Sequence, residues 1–499
     1  MTDYGLLSLL PPVVTVILAV ITRSILFSLA TGVFLGSMIL SDYNPFLALL
    51  DMIEKRIFVE IAVGSNIQII FTMMAIGGFI HLLETSGGAR SFARKMAELV
   101  TSPRRAQLAT WTSGLSIFFT DAGNALIIGP LFRPVFRELR ICREKLAWIL
   151  DSTASPTCIL VPFIGWGAYI MSLIDKAYTN SGLTAEPLSV LLNVMPFQFY
   201  AILALLSVPL VIVAGRDFGP MARAQARFSD KGSETALEAE PAPPVSPAGD
   251  TGMDLFLVPI LTLLGLIAGL LIWYAWHDDL TSVHVRSTMT IAYVAASIAC
   301  GSLMYKYFGT GMEESLNLFI RGAEKMVLVV VILILAWSLS SVIKDLGTAA
   351  TLSSLIGSTI NPGVLPAIVF VLGALISLAT GSSWGTFAIL MGLAVPVAVT
   401  VGAPLYLTIG AVLSGGLFGD HTSPISDTTV LSSIGADCPH IDHVNTQFHY
   451  ALTTGVAAFF TFLAGGFITS PLVLILGIVL LISLFTLRFR FSEQVIKTN

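Results

Sequence analysis

Long apolar runs with few polar interruptions dominate this chain and predict membrane-spanning helices. Several of them reach the roughly 20 residues that a helix needs to cross the hydrocarbon core of a bilayer. The sequence therefore predicts an all-α polytopic membrane protein that has the lipid bilayer as its surroundings. The mostly apolar runs are Pro11–Leu40, Ile61–Leu83, Leu146–Leu173, Leu191–Ala214, Leu255–Tyr274, Met326–Ile343, Val364–Ala379 and Ser470–Leu487.

The composition agrees with a membrane protein. Of the 499 residues 55% are hydrophobic and 11% are charged, whereas a soluble domain carries about 25% charged residues. Four cysteines without metal-ligand spacing predict neither a disulfide nor a metal centre. The absence of a basic patch argues against nucleic-acid binding. Trp166, Trp273 and Trp276 are expected in the aromatic belts at the membrane surfaces.

One polar stretch, residues 216–252, interrupts the apolar pattern near the middle of the chain. It holds four Lys or Arg, six Asp or Glu, and the run Pro241-Ala-Pro-Pro-Val-Ser-Pro-Ala-Gly249. Such a composition cannot bury apolar surface and predicts a flexible cytoplasmic linker. Three regions follow: a first transmembrane repeat over 1–215, the linker, and a second repeat over 253–499.

Short similarities recur in the same order in the two halves, which indicates an internal repeat. Lys and Arg collect in cytoplasmic loops, and the loops around 90–105 and 133–145 carry ten of them. The equivalent second-half segments, Ala350–Leu365 and Leu393–Leu405, carry no charge, which predicts repeats of inverted topology. The paired landmarks are Gly36 with Gly301, Gly87 with Gly347, Thr120 with Thr380, and Ser155-Pro156 with Ser423-Pro424.

Each half is predicted to contain a re-entrant helical hairpin. Basic residues at both ends of Ala106–Phe132 place both ends in the cytoplasm, and 27 residues are too few for two crossings. The polar midpoint Phe119-Thr-Asp-Ala-Gly-Asn124 is the predicted tip. Pro366–Val395, with Thr380-Gly-Ser-Ser-Trp-Gly385 near its midpoint, is the predicted second hairpin. A single tilted helix with a polar kink is the alternative.

A Ser-Pro pair interrupts the segment that follows each hairpin. Proline removes a backbone donor and clashes with the preceding turn, so Leu146–Leu173 and Leu405–Ile434 are predicted to break there. Interrupted helices in corresponding positions of two repeats indicate a transport site.

Three aspartates are the strongest candidates to bind a cation. Asp420 and Asp427 lie within Gly419-Asp-His-Thr-Ser-Pro-Ile-Ser-Asp-Thr-Thr429, and Asp121 lies at the first hairpin tip. Carboxylates within a membrane are costly and mark ion or proton pathways. Because an Asp oxygen binds either Na⁺ or H⁺, the three are predicted to be Na⁺ ligands in an exchanger. Capping of the half-helices by Asp420 and Asp427 is the structural alternative.

Neutral polar residues beside these acids complete the predicted ion, proton or substrate site. His421 is a candidate proton relay, although an imidazole also satisfies a neighbouring carbonyl, and hydroxyls often bond to helix backbone. Asp151 is either a proton carrier or a helix cap, and the sequence does not distinguish the two roles. The remaining candidates are Asn124, Ser155, Thr157, Thr380, Ser382, Ser383, Thr422, Ser423, Ser426 and Thr428.

The run Ser414-Gly-Gly-Leu-Phe-Gly-Asp-His-Thr-Ser-Pro-Ile-Ser-Asp-Thr-Thr-Val-Leu-Ser-Ser433 resembles the signature region of the NhaC family of Na⁺/H⁺ antiporters. The two hairpin motifs also resemble that family. The resemblance implies a multi-pass carrier of the bacterial inner membrane, elevator-type movement and a homodimer. Members of the family also exchange Na⁺ and H⁺ with organic anions, and the motif does not separate these activities. The resemblance does not explain the role of the long acidic linker.

The sequence thus predicts exchange of Na⁺ for H⁺ by alternating access. The first alternative is a Na⁺- or H⁺-coupled carrier of a small organic anion, of the dicarboxylate or lactate type, or of an amino acid. A passive channel is a further alternative. No cofactor and no enzymatic activity are predicted, since the chain has no Walker A, HExxH or Ser-His-Asp pattern.

Overall fold

A computed structural model describes residues 4–98, 100–230, 252–277, 281–356 and 361–498. The described residues form helices, turns and loops without a β-strand. The helices of the first half are α1 Leu10–Thr22, α2 Ile25–Leu40, α3 Pro45–Leu50, α4 Phe58–Ala62, α5 Gly64–Ser86, α6 Gly88–Glu98, α7 Pro103–Ser116, α8 Asp121–Glu138, α9 Arg143–Thr153, α10 Ser155–Cys158, α11 Gly165–Asn180, α12 Pro187–Val194, α13 Phe199–Ala214 and α14 Gly219–Asp230.

The second half has eleven α-helices in the described residues, α15 to α25. Short 3₁₀ segments precede α1, α13 and α20, and a π-helical segment, Asp51–Ile57, joins α3 to α4. The helices of the second half are α15 Asp254–Trp276, α16 Ser282–Phe308, α17 Met312–Glu324, α18 Val327–Asp345, α19 Thr348–Ile356, α20 Leu365–Thr380, α21 Ser383–Val401, α22 Leu405–Thr422, α23 Asp427–Ala436, α24 His440–Ile468 and α25 Val473–Thr498.

Nine segments of the described residues are long and apolar enough to cross a membrane. A tenth is counted if the pair Pro187–Phe197 and Phe199–Ala214, bent by 48°, forms one span. Each of these segments is helical, and a helix makes most of its backbone hydrogen bonds within itself, as a chain in lipid requires. The all-helical polytopic architecture predicted from the sequence is therefore confirmed.

The packing partners of the first half correspond to those of the second. Helix α7 packs on α9 as α20 packs on α22, and α8 packs on α9 as α21 packs on α22. Across the halves, α8 contacts α23 and α21 contacts α11. Gly87 ends α5 and Gly347 follows α18, both with positive φ, at 74° and 69°. A left-handed residue after a helix favours glycine, which accounts for a glycine at both positions.

The chain turns at both predicted hairpin tips. Helix α7 ends at Ser116 and α8 begins at Asp121, whereas α20 ends at Thr380 and α21 begins at Ser383. The hydroxyl of Thr120 accepts a hydrogen bond from the Gly123 N–H at 3.0 Å and so caps α8. Ser382 caps α21 through Gly385 at 3.2 Å in the same way. Helix-capping hydroxyls thus start the second arm of each helix pair.

Both Ser-Pro segments are interrupted where the sequence predicts. In the first, α9 ends at Thr153, α10 comprises only Ser155–Cys158, and α11 begins at Gly165. In the second, residues 423–426 separate α22 from α23. The hydroxyl of Ser423 donates to the Leu378 carbonyl at 2.8 Å, which joins the second interruption to the end of α20.

Part of the predicted linker is helical. Its first residues form helix α14, which packs against α24 and buries Met221 and Ala224. Helix α14 has apolar residues at helical spacing, so composition over the whole stretch concealed an ordered element. Residues 231–251, with the Pro-rich run, lie outside the described residues. Residues 11–40 likewise form two helices rather than one run, because Arg23 adopts a left-handed conformation after α1.

Candidate functional site

The predicted acids Asp121 and Asp427 stand at equivalent positions of two packed helices. Asp121 begins α8 and Asp427 begins α23. Each carboxylate Oδ1 accepts a hydrogen bond from the next backbone N–H, that of Ala122 or Thr428, at 2.8 Å. A helix N-terminus favours negative charge, so both sites accommodate an ionised side chain. Asp121 is half-buried, whereas Asp427 is exposed, contrary to the expectation that it would be buried.

Asp420 occupies a less favourable place. It lies in the last turn of α22, at the negative end of the helix dipole, and is 3% exposed. Its carboxylate interacts electrostatically with those of Asp427, Asp151 and Asp121. An ionised Asp420 is therefore surrounded by like charges with little compensation.

Asp151 is the fourth member of this acidic group. It lies in α9, is 2% exposed, and accepts hydrogen bonds from the Thr429 hydroxyl at 3.0 Å and the Gln447 amide at 2.5 Å. These two partners come from the second half of the chain, so Asp151 joins the first interrupted helix to α23 and α24. The sequence left its role undecided, although it stands close before Pro156 as Asp420 stands close before Pro424.

No ion pair joins any of these four acids to a Lys, Arg or His in the part of the chain that the structure describes. Nor do three Asp, Glu, His or Cys side chains converge as ligands of one metal ion among the described residues. Asp121, Asp420 and Asp427 therefore do not meet at a single point. A cation bound here would combine one or two carboxylates with neutral oxygens.

Three buried neutral oxygens are available for that purpose. They have no hydrogen-bond partner among the described residues and belong to predicted site residues: Asn124 Oδ1, Ser155 Oγ and Thr157 Oγ1. The Asn124 amide nitrogen donates to the Gly114 carbonyl at 2.9 Å and to the Thr153 carbonyl at 3.2 Å. These bonds hold the side chain between α7 and the break after α9. Buried polar atoms are almost always paired, so three orphans at one break indicate a place for a ligand.

The other predicted hydroxyls are mostly bonded to protein. Thr380 and Thr422 donate to carbonyls of their own helices, and Ser426 lies 3.0 Å from Thr428 Oγ1. Ser383 is buried at the start of α21. Thr380 and Thr422 therefore satisfy helix backbone, which is the structural alternative for these hydroxyls. Ser382 and Ser423 also bond to backbone, as described above.

His421 lies within a buried hydrogen-bond network. Its Nδ1 is 2.7 Å from Tyr200 Oη, its Nε2 is 3.4 Å from Ser152 Oγ, and its backbone carbonyl accepts from Gln447 at 2.7 Å. The imidazole is therefore connected to both interrupted helices. It is next to Asp420 in sequence but its ring bonds Tyr200 rather than that acid.

A cavity of about 210 Å³ lies beside Asp121. The hydroxyl of Thr120 donates to Glu84 Oε1 at 3.2 Å, and Lys325 Nζ donates to His81 Nδ1 at 3.0 Å. Both halves therefore supply charge to the cavity, and sequence reasoning passed over Glu84 and Lys325. The cavity residues that bear on binding are His81, Glu84, Asp121, Trp166, Lys325 and Trp384.

Trp166 is one of the cavity walls rather than part of an interfacial belt. Its ring is buried and lies 4.9 Å from that of Trp384, centroid to centroid. Trp384 belongs to the second hairpin motif, so this contact brings the two halves together at the cavity. The flanking glycines in Gly165-Trp-Gly167 are the sequence signal for this buried position, because they permit close packing of a large ring.

Two groups of features define the class of this protein: nine or ten apolar spans among the described residues, and interrupted helices that bring acidic side chains together. It is a secondary transporter that spans the bacterial inner membrane several times. A family model described as the Na⁺/H⁺ antiporter family matches residues 157–467. The chain belongs to this family, and the resemblance to the NhaC type is confirmed.

Individual proteins show the same relationship. An uncharacterized protein of Haemophilus influenzae is 33% identical over 483 residues, which cover 93% of this chain and 92% of that protein. The malate-2H⁺/Na⁺-lactate antiporter of Bacillus subtilis is 26% identical over 211 residues, 42% of this chain and 43% of that one. The solved structure of the Alcanivorax borkumensis YdaH transporter aligns with a TM-score of 0.59 and 16% identity, covering 86% of this chain and 90% of that chain. This last likeness concerns the fold alone.

Proposed function

We propose that this transporter exchanges Na⁺ for H⁺ across the inner membrane. The observation that carries the proposal is the group of four interacting acids, Asp121, Asp151, Asp420 and Asp427, without a basic partner in the described part of the chain. Asp151 and Asp420 are buried, and like charges held close together are stabilised by a bound cation or by protons. Occupation by one therefore opposes occupation by the other.

In this proposal Na⁺ is bound by carboxylates of Asp121, Asp420 and Asp427 in different combinations. The unpaired oxygens of Asn124 and Ser155 act as neutral ligands, since Na⁺ prefers oxygen atoms. Protons occupy the carboxylates when Na⁺ has left. No cofactor takes part.

The proposed movement is alternating access of the elevator type. Helices α7 to α10 and α20 to α23 would move against the remaining helices, as inverted repeats with re-entrant hairpins. The corresponding packing partners of the two halves support this symmetry. A homodimer would hold the static helices in place. Cysteine pairs placed between α8 and α5, cross-linked in vesicles with and without Na⁺, test the movement.

The experiment for the exchange itself is flux in proteoliposomes that contain a pH-sensitive dye. A Na⁺ gradient should drive protons the opposite way, and Asp420→Asn and Asp427→Asn should abolish this flux. Asp442→Asn is the matched control, because Asp442 is exposed and lies on α24 outside the acidic group. Undiminished exchange by folded Asp420→Asn and Asp427→Asn proteins would remove these acids from the mechanism.

A second candidate function is coupled transport of a small organic anion or amino acid. The cavity of about 210 Å³ favours it, because Lys325 offers a cation to a carboxylate while Glu84 and Asp121 offer anions to an ammonium group. The name of the Bacillus subtilis relative refers to malate and lactate, which agrees with this candidate. Stabilisation against heat by a solute together with Na⁺, lost in Lys325→Gln, would favour it over simple exchange.

A further inference from the structure

A polar chain runs from the acidic group to the start of α24, and the proposed exchange has not used it. Asp151 is bonded to Gln447, Gln447 to His443, His443 to Ser433, and Ser433 to His440. His443 is buried, whereas His440 is partly exposed. The chain therefore reaches from a half-exposed imidazole to a buried carboxylate.

The orientation of Gln447 fixes the proton position on His443. The Gln447 Nε2 lies 2.5 Å from Asp151 Oδ2 and 2.7 Å from the His421 carbonyl. Both are acceptors, so the amide nitrogen faces them and Oε1 faces His443 Nε2 at 2.9 Å. An amide oxygen only accepts. His443 Nε2 therefore carries a hydrogen.

His440 is fixed in the same way. Its Nε2 lies 2.6 Å from the Pro424 carbonyl, which can only accept, so this nitrogen also carries a hydrogen. A neutral imidazole has one N–H. Each Nδ1 is therefore an acceptor unless its ring is protonated and cationic.

Ser433 is placed between the two rings with a single hydrogen to give. Its Oγ lies 2.8 Å from His443 Nδ1 and 3.1 Å from His440 Nδ1, and 2.8 Å from the Thr429 carbonyl. If both rings were neutral, one Nδ1 lone pair would face the hydroxyl oxygen without a proton between them. One added proton allows a continuous arrangement, in which the cationic ring donates to Ser433 and Ser433 turns its hydrogen from the Thr429 carbonyl to the neutral ring.

Transfer between the rings then needs no other group. The Nδ1–H bond of the cationic ring breaks as its proton passes to Ser433 Oγ. At the same time the Ser433 O–H bond breaks and that proton bonds to Nδ1 of the other ring. The positive charge moves from one ring to the other. Ser433 is again a neutral hydroxyl, which now carries the proton received from the first ring.

The charged groups near His443 differ from those near His440. The titratable groups that interact with His443 are Asp151 on α9 and His421 in α22. Farther along α24, Tyr450 donates to Asp217, which forms an ion pair with Lys145 at 2.6 Å. Near His440, Asp437 is paired with Arg143. A proton on His443 therefore acts chiefly on Asp151, whereas a proton on His440 is close to the aqueous rim.

We propose that His440, Ser433 and His443 form a one-proton relay that brings the exchanged proton to His443, beside the acidic group. The proposal rests on Na⁺/H⁺ exchange as the function and deepens it. Gln447 positions the relay, because it transmits the hydrogen bond to Asp151 but passes no proton itself.

The test compares Ser433→Ala with Ser433→Thr in proteoliposomes. Thr keeps a hydroxyl at the centre of the relay, and Ala removes it. We expect Na⁺-driven proton flux to fall by about tenfold or more in Ser433→Ala and to remain near wild type in Ser433→Thr. Exchange of labelled Na⁺ for Na⁺, which moves no proton, should be unchanged in both and also reports correct folding.

The outcomes separate the relay from the function on which it rests. Equal loss of Na⁺/Na⁺ and Na⁺/H⁺ exchange in Ser433→Ala would mean a structural role and overturn the relay, as would unchanged proton flux. Wild-type protein without Na⁺-driven proton movement would overturn the proposed function, and the relay with it. If Ser433→Ala does not fold, His440→Gln at the partly exposed end must show the same selective loss, and its absence would contradict the relay.

Discussion

Asp121 and Asp427 begin two helices that pack together, and each carboxylate accepts the N–H of the following residue at 2.8 Å. Both acids are therefore stabilised as anions by a helix N-terminus. Asp420 has no such compensation, because it is at the opposite end of its helix and more deeply buried. Of the three predicted Na⁺ ligands, Asp420 thus depends most on a bound cation.

Replacement of Asp420 by Asn should separate stability from transport. Removal of the crowded charge should raise the free energy of unfolding of the Na⁺-free protein by about 1 kcal/mol or more at pH 8. Na⁺ should stabilise the wild type against heat but not this variant. Thermal unfolding in detergent measures both effects, with Asp442→Asn as control. A less stable Asp420→Asn protein would mean that the carboxylate supports the fold.

Gln447 and Gln198 provide a matched pair of buried amides. Gln447 bonds Asp151, His443 and the His421 carbonyl, whereas neither amide atom of Gln198 has a partner among the described residues. Leaving a buried carboxylate short of a donor costs about 1–3 kcal/mol. We expect Gln447→Leu to lose stability by that amount.

The same change at Gln198 should leave stability unchanged or raise it, because no hydrogen bond is lost. Urea or thermal unfolding of the two purified variants provides the comparison. Similar losses in both would show that side-chain shape, not hydrogen bonding, determines the effect at these positions.

Local chemistry explains what the sequence could predict. The breaks before Pro156 and Pro424 follow from a missing backbone donor, and the turns near Thr120 and Ser382 follow from residues that cap helices. Such features depend on neighbours in the chain, so they can be found without a structure. The same applies to the apolar runs that form the spans.

Contacts between distant residues explain what the sequence leaves undecided or does not reveal. Asp151 is defined by Gln447, which is 296 positions away, and Lys325 meets His81 across 244 positions. Neither pairing leaves a local pattern. The sequence predicts an interfacial belt position for Trp166, whereas the ring is buried in a cavity wall. An aromatic residue near the end of an apolar run has the same local pattern in both places.

The buried side chains of Lys145 and Asp217 should be energetically coupled as an ion pair. Lys145 Nζ lies 2.6 Å from Asp217 Oδ2, both side chains are under 10% exposed, and Tyr450 donates to the other carboxylate oxygen at 2.7 Å. Removal of one partner leaves an uncompensated buried charge and costs about 3–5 kcal/mol. Lys145→Met alone should therefore be strongly destabilising.

The double variant Lys145→Met with Asp217→Asn should recover much of that loss, since no charge remains unpaired. Unfolding free energies of the wild type, both single variants and the double variant form the required cycle. Additive losses would mean that the two side chains are not coupled.

Thr157 allows a neutral ligand to be tested by an isosteric change. Its hydroxyl is buried without a partner among the described residues, so Thr157→Val removes an unsatisfied polar atom and should raise stability by up to about 1 kcal/mol. If the hydroxyl binds Na⁺, the apparent Na⁺ affinity should fall by about tenfold, or roughly 1.4 kcal/mol. Thr429→Val is the matched control, because that hydroxyl donates to Asp151 at 3.0 Å and its loss should destabilise the protein. Na⁺ titrations of heat stability measure both quantities on the same samples. Unchanged Na⁺ affinity in a stabilised Thr157→Val protein would assign this oxygen to packing and leave the carboxylates with Asn124 and Ser155 as the ligands.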